Sequence, residues 1–109
     1  MANYYSDNEA LQFYLDHPLM KRIVELKERN FADKDNYPEA PVDYEDAMEN
    51  YRRVLDITGD ITANIIEPNS ESVDLEGPHL ENGRMIYASK TVENLDACTK
   101  GGLWGVSID

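Results

Sequence analysis

The chain has 109 residues, with 22 Asp and Glu against 10 Lys and Arg and a formal charge of −12. One domain is the expectation at this length, and so acidic a surface repels phosphate backbones, which excludes nucleic acid as a partner. Leu, Ile, Val and Phe make up about 22% of the residues, close to the roughly 20% below which charged chains drift toward disorder, so the core must be thin and gains from apolar surface supplied elsewhere.

The acids are dispersed, with no block of like charge, and read as solvated helix faces. The lone cysteine, Cys98, cannot form an intrachain disulfide, which points to a reducing, cytoplasmic setting and an inert packing role. No stretch approaches the roughly 18 apolar residues of a membrane span, and the start MANYYSDNEALQFY has neither the basic nor the apolar region of a secretory signal.

Ser6 followed by Glu9 has the spacing of a capping box and predicts a short helix beginning near Asp7, with Leu11, Tyr14 and Leu15 along it. Asp16 can cap a second helix that holds Pro18 in its first turn and Leu19, Ile23 and Leu26 on one face, with Asn30 as its stop. The segment FADKDNYPEAP, from Phe31 to Pro41, has no helical or strand period and predicts an extended connection ordered by Phe31 and Tyr37.

Asp43 can cap the longest helix, because Tyr44, Ala47, Tyr51, Val54, Thr58, Ile61 and Ile65 recur at threes and fours. Met48, Leu55 and Ile66 widen that stripe. Pro68 predicts an end at or before Glu67, followed by a polar stretch from Asn69 to Gly77. Asn82-Gly83 has the turn chemistry of a two-residue hairpin loop between His79–Leu80 and Met85–Tyr87. Ser89 can cap a final helix carrying Val92, Leu95 and Cys98 on one face and stopping at Gly101 or Gly102. Leu103, Trp104, Val106 and Ile108 then form an apolar run that expects a surface to pack against.

The chain offers little chemistry. His17 and His79 have no His or Cys at metal-ligand spacing. Asp33 and Asp35 open like a calcium loop, but Tyr37, Pro38 and Tyr44 occupy positions where that loop needs a ligand, a glycine and a glutamate. Cys98 has no base near it in sequence. GGLWG, after a helix, is neither a dinucleotide fingerprint nor a phosphate loop, and reads as a helix stop with a tight approach. Nothing sets any carboxylate pair apart from ordinary surface charge. Tyr44 and Tyr51 share a helical face, the spacing of packing residues.

The stretch VDLEGPHLENGRMIYASKTVENLDACTKGGLWGVSI, ending at Ile108, resembles the N-terminal region of flavin-dependent acyl-CoA dehydrogenases. In that family a helix leads into a segment like KGGLWGVSI, and a proline and a Gly-Gly loop usually follow, whereas this sequence stops at Asp109. The earlier part, from Leu11 to Pro41 and on through Tyr44 and Tyr51 to Pro68, is similar to the N-terminal extension of the longer members. The resemblance implies an all-α fold, mainly helical with one short β-hairpin near 79–87, belonging to the N-terminal helical domain of that enzyme family. Residues 1–41 would be the helical extension and connecting loop, and residues 42–109 the start of the helical domain, incomplete at its C-terminus.

It further implies an oxidoreductase of fatty acid metabolism acting on CH–CH groups. The complete enzyme removes hydrogens from the α and β carbons of an acyl-CoA thioester, with FAD accepting the hydride. A middle β domain holds much of the flavin site and a C-terminal helical bundle supplies the glutamate base. No position here matches that base or the main flavin-binding segments, so no catalytic, cofactor-binding or metal-ligating residue is carried over. FAD and acyl-CoA are expected only in the complete enzyme.

Leu103 and Trp104 are expected to serve in domain packing or as a wall of the acyl pocket. The partners implied are the remaining domains of the same enzyme, or further copies in a homo-oligomer. A reading from a different class is a freestanding interaction module that lays the helix from Asp43 to Glu67 into a partner's groove. A small independent enzyme has the least support, for want of a nucleophile, metal or phosphate motif.

Overall fold

The computed structural model describes residues 2–106, so Ile108 of the expected apolar run lies outside it. The chain is mainly helical with one two-stranded antiparallel sheet, in the order α1 (Glu9–Leu15), α2 (Met20–Lys27), α3 (Tyr44–Ile61), α4 (Glu67–Glu76), β1 (His79–Glu81), β2 (Arg84–Ile86) and α5 (Ser89–Lys100). A short 3₁₀ turn, Arg29–Phe31, follows α2, and a π turn, Thr62–Ile66, joins α3 to α4.

Asp43 caps α3 as its position predicts, accepting the Asp46 N–H at 2.9 Å, while Asp46 accepts the Val42 N–H at 3.0 Å. The end of this helix differs from the expectation. Rather than stopping before Pro68, the chain passes through the π turn, in which the Glu67 N–H donates to the Thr62 carbonyl, and continues as α4 to Glu76. The wider turn spares the ring of Pro68, which has no N–H to offer, the usual clash with the preceding turn. The expected polar stretch from Asn69 is therefore helical, and it ends where Gly77 takes φ +62°. From Tyr44 to Glu76 the rod is roughly 50 Å long at ~1.5 Å per residue, which sets the longest dimension of the molecule, 52 Å.

The N-terminal elements sit on the first half of this rod. Val24, Ala47 and Met48 form the buried centre, with Leu15, Met20 and Phe31 closing it from one side and Tyr44 and Tyr51 from the other. Full burial of Val24 and Met48 contributes about 1.5–3 kcal/mol each. Here the structure corrects the predicted face of α2. Met20 and Val24 point inward, whereas Leu19, Ile23 and Leu26 are 66%, 54% and 61% exposed. The stripe was real, but α3 packs against the other side of the helix.

Several caps also differ. The first helix is capped by Asn8, which accepts the Ala10 and Leu11 N–H groups, instead of by Ser6. Asp16 ends α1 and reaches Arg52 on α3 at 2.7 Å instead of capping α2. Arg29, Asn30 and Phe31 all take positive φ, a left-handed turn that swings Phe31 into the core; Asn30 tolerates that conformation best. The segment 31–41 is a chain of turns rather than an extended run, and Tyr37 stays 56% exposed.

The hairpin forms as its turn residues dictate. Asn82 and Gly83 take φ +51° and +76°, the two positive values a type I′ turn requires, and Leu80 lies opposite Met85. α5 then folds back along the π turn and α4.

Candidate functional site

The residues singled out for domain packing, Leu103 and Trp104, follow α5 directly. The Leu103 N–H donates to the Cys98 carbonyl and the Gly102 N–H to the Thr99 carbonyl, both at 3.1 Å, with Gly102 at φ +71°. These paired bonds satisfy the last carbonyls of α5 and turn the chain sharply. The expected helix stop at Gly101–Gly102 is thus present. So is the tight approach: a Cβ on Gly101 would lie 2.7 Å from Ile61 Cδ1.

Leu103 is half-buried, Trp104 is 59% exposed and Val106 66% exposed. The indole Nε1 of Trp104 donates to Thr99 Oγ1 at 2.5 Å, which folds the ring back toward α5. Thr99 lies four residues beyond Leu95 and so shares its helix face; Leu95 and, one turn earlier, Val92 are 40% and 55% exposed. The outcome is an outward apolar strip of Val92, Leu95 and Trp104, with Val106 exposed two residues beyond the indole. The predicted inward face of α5 is corrected accordingly: Thr91, Asn94, Ala97 and half-buried Cys98 turn toward α3 and α4 instead.

Polar contacts hold α5 in this orientation. Asn69, buried on α4, donates to Asn94 Oδ1 at 2.8 Å and to Glu93 Oε1 at 3.3 Å. Lys90 Nζ meets the other Glu93 oxygen at 2.7 Å, and the ammonium, followed by the Asn69 amide, holds the Glu93 carboxyl below its ordinary value. Ser89 does not cap α5 itself. Its N–H and hydroxyl donate to the two oxygens of Glu76 at 2.6 and 3.0 Å, so the last residue of α4 caps the first turn of α5 across the hairpin.

Midway along the rod, near the end of α3, the residues 2–7 form a hook over that helix. Asn3 Oδ1 accepts the Tyr5 and Ser6 N–H groups, and Asn3 Nδ2 donates to the Asp56 carbonyl at 3.0 Å and Asp56 Oδ1 at 3.1 Å. The Tyr4 N–H donates to the Gly59 carbonyl at 3.1 Å. Sequence reasoning missed Asn3, Gly59, Asn69 and Glu76. Only Gly59, a glycine inside a strong helical pattern, carried a signal of close backbone approach.

Among the described residues no three His, Cys, Asp or Glu side chains converge as metal ligands. His17 Nδ1 accepts the Leu19 N–H, and His79 lies 3.4 Å from Glu81 on the hairpin. Between α3 and α5 a shallow cleft is floored by Ile61, Ile65 and Ala97 and rimmed by Glu93, Asp96 and Lys100. Lys100 is committed to Asp96 at 2.8 Å, which also raises its own proton affinity. The chemistry available at this end is apolar packing with an acidic rim.

No family model matches the sequence, and neither curated proteins nor solved structures gave a match. Among the described residues no helix is long and apolar enough to cross a membrane.

Proposed function

We propose that this chain is a structural part of a flavin-dependent acyl-CoA dehydrogenase, its N-terminal helical extension (residues 1–41) and the start of its N-terminal helical domain (residues 42–109). In this role it positions the rest of the enzyme and contributes a wall to the acyl pocket. The flavin, the catalytic glutamate and most of the acyl-CoA site belong to the remaining domains, in a cytoplasmic enzyme of fatty acid metabolism.

The observation that supports this reading is the outward strip of Val92, Leu95 and Trp104. It lies in the stretch that resembles the family, and scattered single apolar residues are ordinary on a surface whereas a contiguous strip calls for a covering layer. A freestanding module that binds through the helix from Asp43 to Glu67 has less support, because the face of that helix rich in apolar residues is already occupied by the N-terminal elements and by α5.

The test is to join the coding sequence in frame to whatever follows Asp109 and purify the product. Bound flavin with acyl-CoA oxidation, and a shifted acyl-chain preference in its Trp104→Ala variant, is the expected result. A product without flavin, or an active enzyme whose chain-length preference ignores Trp104→Ala, would overturn the proposal for the whole or for the pocket wall respectively.

A further inference from the structure

The outer face of α2 is the second large apolar surface left open, and it differs from the strip on α5 in its charge. On a helix advancing about 100° per residue, Leu19, Leu26 and Ile23 form one stripe, and Arg22 falls on one flank and Lys27 on the other. All five are exposed. In a chain with more than twice as many acids as bases, neither Arg22 nor Lys27 has an ion-pair partner among the described residues.

The complement is on α4 of the same chain. Leu75 is 78% exposed and stands on the side of α4 away from Asn69, which faces α5. Pro68 and Glu71 lie on the same side, and Asp74 flanks Leu75. Glu71 and Asp74 likewise have no ion-pair partner among the described residues. One chain thus carries an apolar stripe bordered by cations and an apolar ridge bordered by anions. They sit near opposite ends of one rod: α2 packs at Met48 and Leu75 lies about 40 Å further along at ~1.5 Å per residue.

We infer that two copies of this chain pair antiparallel, α2 of each lying on α4 of the other. That arrangement makes the two equal contacts of a closed two-fold dimer. A compact monomer of 12.4 kDa exposes about 6,100 Å², whereas this elongated chain exposes 8261 Å², so it carries more open surface than a compact fold would. The inference does not rest on the enzyme reading, since its surfaces, α2 and α4, are distinct from the strip around Trp104.

Sedimentation of the full chain in low salt tests it. A dimer is expected at about 100 μM, weakening in molar salt as screening shortens the reach of the charges. Arg22→Glu with Lys27→Glu should raise the dissociation constant by more than about tenfold, as should Glu71→Lys with Asp74→Lys. All four sites are exposed, so circular dichroism should remain unchanged. An equimolar mixture of the two reversed proteins should pair again, because the mixed dimer sets the acidic α2 of one chain on the basic α4 of the other and keeps the original pairing at its second contact, and the chain carrying all four reversals should likewise pair within about threefold of the original. A monomer at every concentration, dimerisation indifferent to both reversals, or binding of the wild-type monomer to anionic vesicles in place of self-association would each overturn it.

Discussion

Gly59 and Asn3 are packed so closely that a Cβ on Gly59 would lie 2.2 Å from Asn3 Oδ1 and 2.6 Å from the Tyr5 nitrogen. The hook formed by residues 2–7 can reach the backbone of α3 only because this helix position has no side chain. Glycine inside a helix costs about 1 kcal/mol relative to alanine, and the hook offsets that cost through the buried amide of Asn3.

Gly59→Ala should therefore expel the hook and destabilise the chain by about 1–2 kcal/mol in urea unfolding, since the lost hydrogen bonds outweigh the gain in helix propensity. In an Asn3→Ala background the same substitution should turn stabilising, by roughly 0.5–1 kcal/mol. A Gly59→Ala effect of the same sign in both backgrounds would show that the two residues are not coupled.

Glu76 and Ser89 give a second test. The Glu76 carboxylate holds both the N–H and the hydroxyl of Ser89, so it does the work of an N-cap on α5. Glu76→Ala should cost about 1 kcal/mol, and Ser89→Ala distinctly less because the backbone bond survives. Equal losses from the two variants, measured by thermal unfolding, would return the capping role to Ser89.

At alkaline pH the Tyr51 phenol, which donates to Glu28 on the N-terminal side of the core, should dominate. Burial, and then the neighbouring Glu28 carboxylate, push its proton affinity well above the ordinary value of 10.0. A phenol raised in the folded state binds its proton more tightly there than in the unfolded chain. Stability is therefore fully present below pH 10 and declines as the pH rises further. Tyr51→Phe should lower stability at neutral pH by about 0.5–1.5 kcal/mol yet flatten the alkaline limb. An alkaline limb unchanged by Tyr51→Phe would assign it to other groups.

Some turns and caps that depend on a single residue were legible in the sequence, whereas the caps expected of Ser6, Asp16 and Ser89 and the choices between two surfaces were not. Asp43, Asn82-Gly83 and Gly101–Gly102 each act through their own backbone or side chain, and the structure uses them as expected. For α2 the sequence holds two apolar stripes, Leu19–Ile23–Leu26 and Met20–Val24; which one turns inward depends on where α3 lies, and no local pattern encodes that. Pro68 misled for a related reason. Its rule assumes an α-helical register, and the π turn at Thr62–Ile66 removes that assumption. Among the candidate site residues, Leu103 and Trp104 were marked by composition, while Asn69 and Glu76 act across a distance in the chain that periodicity does not span.

Asn69 supplies the remaining test, because it joins α4 to α5 through both Asn94 and Glu93. Its amide helps Lys90 to hold the Glu93 carboxyl below the ordinary value of 4.5. A carboxyl depressed in the folded state contributes stability above pH 4.5 that is lost as the pH falls through the folded value, so the wild-type chain should weaken on acidification. Asn69→Asp replaces the donor by a second carboxylate facing Glu93 and Asn94. It should destabilise the chain at neutral pH and raise the Glu93 titration point, read by carboxyl-detected nuclear magnetic resonance. Acidification to pH 4–5 should then restore part of the loss by protonating the pair, which reverses the local slope of stability against pH. Asn69→Ala removes the donor without adding charge, and should lower neutral-pH stability while leaving the slope shallow. If Asn69→Asp and Asn69→Ala behave alike from pH 4 to pH 7, Glu93 does not sense residue 69, and the junction between α4 and α5 rests on Asn94 and on apolar packing against Ile61 and Ile65.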